Sequence, residues 1–167
     1  QTVYTRSITN PLGAIKYINQ GKNNTVYLLQ ATDTDSPYLA AGQYRSYKGN
    51  AGKSKVTIGR LKRNLGNKSH VGLIATNRDY QVGGSGSVVE FDSLINFMDD
   101  YILDLNYARS DTQEGNVNFI ETDDTFAGRT YAMDGESFSG IAKNFRLRWA
   151  VDKANAGIRF SDVSPTY

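Results

Sequence analysis

Short and long connections alternate along this chain between stretches of extended, period-two sequence. Nine strands are expected, over 2–9, 13–20, 24–32, 55–65, 69–80, 87–98, 100–112, 138–151 and 155–163. The second and third meet at "GKNN", the fourth and fifth at "GNKS", the sixth and seventh near "MDD", and the eighth and ninth at "DKAN". These are short turns built from Gly, Asn and Asp, residues that reverse a chain at little steric cost. The connections between the hairpins differ: 33–54 is long and polar, 81–87 reads "QVGGSGS", and 113–137 is long and partly acidic. In an up-and-down antiparallel sheet, every tight turn then lies at one end and every long loop at the other. Outer-membrane barrels have this asymmetry, and a soluble meander can share it.

The faces of the strands sharpen the expectation. In "DYILDLNYARSD", Tyr101, Leu103, Leu105 and Tyr107 fall on one face, and Asp104 and Asn106 on the other with Ile102 and Ala108. Val89, Phe91, Ile95 and Phe97 oppose Glu90, Asp92 and Asn96, while Phe145, Leu147, Trp149 and Val151 oppose Asn144, Arg146 and Arg148. In the last strand Ala156, Ile158 and Phe160 oppose Arg159 and Ser161. A soluble β-sandwich or closed barrel would turn the apolar faces inward. An outer-membrane barrel would turn them to lipid and line a wet interior with the charges. The periodicity is the same in both, but length is not. A tilted membrane strand needs roughly 9–11 residues against a soluble mode of about 5–6, and several segments here run ten or more without a breaker.

Composition narrows the remaining classes. With 167 residues the chain is one domain, 1–167. A net charge of +2, from 19 basic and 17 acidic side chains, gives no bulk footprint for nucleic acid. The absence of cysteine removes disulfides, thiol nucleophiles and thiolate metal sites. Tyr (11) outnumbers Phe (7), with Gly at 16 and Pro at 3, a balance that suits strands and glycine turns. No window of about 18 apolar residues exists for a transmembrane helix. The opening "QTVYTRSIT" carries no charged-then-apolar leader, as expected after removal of a signal peptide or for an internal piece of a longer protein.

Four stretches, "VYTRSIT…PLGAIKY", "GRLKRNLGNKSHVGLIATNRDY", "DYILDLNYARSDT" and "FRLRWAVDKANAGIRFSDVSPTY", together resemble a known family. Its members are large outer-membrane proteins of Gram-negative bacteria. They carry an N-terminal β-sandwich similar to a family 9 carbohydrate-binding module and a long C-terminal β-barrel of unassigned function. The resemblance runs in order over most of the chain, and "AGIRFSDVSP" after a Trp-bearing strand is its most specific part. The sandwich and much of the barrel have no counterpart here, and an odd strand count closes no bacterial single-chain barrel. The resemblance therefore implies a partial segment of a larger barrel, or a shorter relative. It supplies no catalytic residues.

Candidate chemistry is sparse. His70 is the only histidine, beside a turn and without a nucleophile-elbow motif, and reads as a solvated turn-flanking residue. The "DTD" and "ETDD" clusters give Asp33, Asp35, Asp123 and Asp124 as weak calcium ligands, without EF-hand spacing. Paired carboxylates such as Glu90 and Asp92, or Asp104, could serve a glycosidase, but Arg neighbours favour an interior ion-pair network. "GGSGS" lacks the Lys-Ser/Thr ending of a phosphate loop. The basic run "RLKRNLGNK" is split between two faces and lacks aromatic stacking partners.

The expected fold is thus all-β, an antiparallel up-and-down meander of about 8–9 strands forming part or all of an outer-membrane β-barrel. Arg60, Arg78, Glu90, Asp92, Asp104, Asn106, Arg146 and Arg148 would face the lumen as a salt-bridged wall. Tyr38, Tyr44, Tyr47 and Phe119 in the long loops would meet ligands or partners. The expected role is non-enzymatic: transport, docking or scaffolding at the surface of a Gram-negative cell, in contact with outer-membrane lipid and other surface proteins. Glycans enter by analogy with the family's sandwich domain, and no cofactor or nucleic acid is expected. The rival is a soluble extracytoplasmic β-sandwich that binds carbohydrate. In 55–80, Val56 and Ile58 would face lipid with Val71, Leu73 and Ala75, opposite Arg60 and Arg78. Leu61 and Leu65 are out of phase with that assignment, which predicts a β-bulge at Gly59.

Overall fold

The computed structural model describes residues 8–41, 46–117, 122, 124–126 and 128–167, with the side chains of 38–41 and 46 excepted. The chain is all-β. Its strands in order are β1 Pro11–Gln20, β2 Asn24–Asp33, β3 Pro37–Ala41, β4 Ser46–Asn50, β5 Ser54–Gly66, β6 Ser69–Tyr80, β7 Ser85–Phe97, β8 Tyr101–Gln113, β9 Thr125–Phe126, β10 Arg129–Thr130, β11 Ser137–Val151 and β12 Ala154–Val163. Eight of them form one antiparallel sheet in the order β1-β2-β5-β6-β7-β8-β11-β12. Each strand pairs with the next long strand along the chain, as an up-and-down meander requires. The pairs β3–β4 and β9–β10 are small separate ladders within two of the long connections. The sheet is open, with β1 and β12 as its edges, exposed along their whole length.

The tight turns close hairpins β1–β2, β5–β6, β7–β8 and β11–β12, all at one end. Asn67 and Lys68 both take left-handed backbone angles, φ 43° and 56°, as a two-residue hairpin turn of the twist-compatible kind demands. Met98 and Asp99 do the same at φ 48° and 57°. Of the expected first strand, 2–7 lie outside the described residues, and Ile8 and Thr9 are not in a strand. The Asp33 carboxylate instead accepts the backbone N–H groups of Thr9 (3.0 Å) and Asn10 (2.8 Å), which fixes the approach to β1.

The expected bulge at Gly59 is not there. Pairing with β2 is unbroken from Asn24–Arg63 to Asp33–Ser54, and with β6 from Ser54–Tyr80 to Asn64–His70. The irregularity comes at Leu65, between Asn64 and Gly66. Without a bulge at Gly59, strand parity puts Val56 and Ile58 on the face of Arg60, away from Val71, Leu73 and Ala75. There they are 5% and 4% exposed, packed by register against Ala31 at 2%. Leu61, conversely, is in phase with Val26 and Leu73.

Register then sorts the sheet into two unlike faces. On one, Val26, Leu61, Leu73, Phe91 and Tyr107 form a row across five strands, which continues as Lys143 on β11 and Asp162 on β12. Below it run Val71, Ser93, Leu105, Phe145 and Phe160, then Ile95, Leu103, Leu147 and Ile158, then Phe97, Tyr101, Trp149 and Ala156 beside the tight turns. The Phe97 and Tyr101 rings stack at 5.4 Å. Toward the long loops the belt stops at a wholly polar row, Thr57, Asn77, Ser87, Asp111 and Ser139. Along β7 the apolar span from Val89 to Phe97 is about 27 Å of strand. A tilt near 40° reduces this to about 20 Å, close to the ~25 Å of a lipid-facing band.

This apolar face is open: Ile158 is 69% exposed, Phe160 58%, Leu61 53% and Phe91 43%. Buried positions cluster on the other face, where Ser54, Val56, Ile58, Glu90, Ala108 and Ser110 are all shielded although no second large sheet lies over them among the described residues. Part of that shielding comes from the connections: the Ser36 hydroxyl meets that of Ser54 at 2.6 Å, and the C-terminal residues cross this face at Gly140. Among the described residues no helix is long and apolar enough to cross a membrane.

Candidate functional site

The polar face gathers all eight of the charged and amide residues singled out from the sequence. Arg60 and Glu90 share one register row, Asp92 and Asn106 the next, then Asp104 with Arg146, and Arg148 beyond it. Arg78 sits toward the long-loop end. At the centre, the Arg60 guanidinium crosses β6 diagonally to grip Asp92 on β7 in a two-pronged pair, Nη1 to Oδ1 and Nη2 to Oδ2 at 2.9 Å. The crossing point is Gly72. A Cβ there would stand 2.7 Å from Arg60 Nη2 and 2.8 Å from Asp92 Oδ1.

His70 also belongs to this group, which corrects its reading as a solvated turn-flanking residue. Its Nε2 lies 3.4 Å from Asp92 Oδ2, and the side chain is 24% exposed. Asp92 is therefore held between the Arg60 guanidinium and the His70 imidazole. On the same face Asp104 accepts a hydrogen bond from Asn106 at 2.8 Å. Glu90 is buried, with Oε2 lacking a hydrogen-bond partner.

The long-loop end holds a cleft of about 360 Å³ on the same face, whose walls include Tyr80, Arg129, Tyr131, Phe138 and Tyr167. The C-terminal residues reach it by crossing Gly140, where a Cβ would meet the Tyr167 backbone at 2.4 Å. Ser164 and Thr166 secure that crossing, the first through its Oγ to the Ile141 N–H (2.9 Å), the second by donating to the Ser139 carbonyl (2.6 Å). Arg129 lies flat on Phe138, with Cζ 3.6 Å from the ring centre.

At the base of the 114–136 loop, Glu114, Asp134 and Glu136 bring one carboxylate oxygen each within 4.8 Å of the others. Burial pushes the Glu114 carboxyl up to about 7, with the charges of Asp134 and Glu136 adding to it. Arg129 and the Glu136 backbone N–H oppose the rise. No sequence motif marks this triad. Glu114 is distant in sequence from Asp134 and Glu136, and the pairing of the chain on either side of the loop brings them together.

The loop residues expected to meet ligands fare unevenly. Tyr44, Phe119 and Asp123 lie outside the described residues, and Tyr38 is described only as backbone in β3. The Tyr47 hydroxyl donates to Asp124 Oδ2 and lies 3.2 Å from Thr122 Oγ1, and its ring is 5.5 Å from that of Tyr131. It thus ties one long connection to the other. Asp33 is committed to its backbone partners, Asp35 accepts from Asn50, and Asp124 from Tyr47. None of these carboxylates joins a cluster of three among the described residues.

Comparison with protein-family models, with curated proteins and with solved structures finds no match to this chain.

Proposed function

We propose that this chain is wall material of an outer-membrane β-barrel in a Gram-negative bacterium. In this reading the aromatic and aliphatic belt meets lipid, and the Arg60–Asp92–His70 face meets water inside. The observation that carries it is the exposed belt, continuous over neighbouring strands and bounded by the polar row Thr57–Asn77–Ser87–Asp111–Ser139. A soluble sandwich would need a second large sheet over that belt, and the described residues include only two-stranded ladders besides the main sheet.

The role is non-enzymatic passage, docking or scaffolding at the cell surface. Asp92, the best-placed carboxylate, is saturated by Arg60 and His70, which suits a rigid wall rather than acid–base chemistry. Mixed charge signs inside give no strong preference for one ion sign. The long loops face outward, where other surface proteins or glycans are the partners. Glycans rest only on the resemblance to proteins with a carbohydrate-module-like domain. In hydrocarbon no backbone edge can stay open, so β1 and β12 pair with each other or with strands of a larger wall.

The test is detergent partition together with heat-modifiable gel migration. The folded protein should need detergent to stay dispersed, and should migrate differently before and after boiling. A monodisperse monomer in plain buffer would rule the proposal out.

A further inference from the structure

We propose that Glu114, Asp134 and Glu136 form a calcium site that clips the base of the 114–136 loop. Three carboxylate oxygens, each from a different side chain, converge within 4.8 Å. Acidic residues often crowd on exposed loops with no metal, but this group is not simply exposed. Glu114 is only 7% exposed, and its Oε2 is shut from water with no hydrogen-bond partner. Glu136 Oε2 is in the same condition. A buried carboxylate oxygen without a donor is costly, and a second one beside it compounds the cost.

The protein supplies little of the missing charge. Among the described residues no ion pair includes any of the three carboxylates. Arg129 is near enough to be felt, but its guanidinium is spread on the Phe138 ring and its Nε is itself unpartnered. Asp134 uses one oxygen to accept from Thr130 Oγ1 at 2.8 Å, leaving the other open. A hard divalent cation with all-oxygen, adaptable coordination satisfies these oxygens, and calcium is the ion whose ligand number and loose geometry suit carboxylates on a loop. The site joins the end of β8 to the start of β11, so the ion would brace the loop's two roots. It does not depend on which solvent faces the belt.

Calorimetric titration of the full chain with calcium chloride, after chelator treatment and at about pH 8, tests the site. One saturable site is expected. Glu114→Gln and Asp134→Asn should each weaken it at least about tenfold, while Asp152→Asn in a turn at the opposite end leaves it unchanged. Because Asp134 is exposed, its variant should fold even if the Glu114 variant does not. No saturable binding, or binding that Asp134→Asn leaves unaltered, overturns the site.

Discussion

Gly72 marks the place where three strands cooperate at the scale of single atoms. Its missing side chain is the space through which Arg60 reaches Asp92. A methyl group would push the guanidinium aside and break a partly buried two-pronged pair. Gly72→Ala should therefore cost about 1–2 kcal/mol in urea unfolding. Gly59→Ala, whose new Cβ would meet Leu28 Cδ2 at an ordinary 3.7 Å, should change stability by no more than about 0.5 kcal/mol. Equal effects at the two sites would mean that the pair contributes nothing. The cations of this hairpin are conspicuous in sequence, yet their partner is not. Asp92 lies 32 residues from Arg60, and only the register of β6 against β7 brings the two together. His70 was hidden for the same reason: a turn-flanking histidine looks solvated until the next strand is laid beside it.

At the scale of elements, the long strands were legible because two independent signals agreed, period-two alternation within them and turn residues between them. The bulge was misplaced because Leu61 and Leu65 were measured against Val56 and Ile58, on the assumption that all four shared the lipid side. The structure puts Val56 and Ile58 in a small apolar patch on the polar face, so Leu61 needs no correction of phase. The ladders β3–β4 and β9–β10 could not be read, being too short or too polar to show a period. The β5–β6 turn offers a test of the hairpin geometry. Lys68 holds φ 56°, a backbone region costly for a side chain with a Cβ. Lys68→Gly should stabilise the protein by about 0.5–1 kcal/mol, the relief of strain outweighing the added freedom of the unfolded chain. Destabilisation in the same unfolding assay would contradict the left-handed turn.

For the molecule as a whole, sequence alternation defined two faces correctly over β7, β8, β11 and β12 but gave no sign of which was wet. In the structure the aromatic belt is the open face and most buried positions lie on the charged one, the arrangement that the proposed lipid contact calls for. The single tryptophan reports on this directly, since Trp149 sits in the belt row with Phe97 and Tyr101 beside the tight turns. The decisive measurement is its fluorescence in vesicles that carry brominated acyl chains. Lipid contact predicts blue-shifted emission that brominated lipid quenches strongly. Emission that brominated lipid leaves unquenched, while the protein remains folded, would contradict a belt facing the membrane.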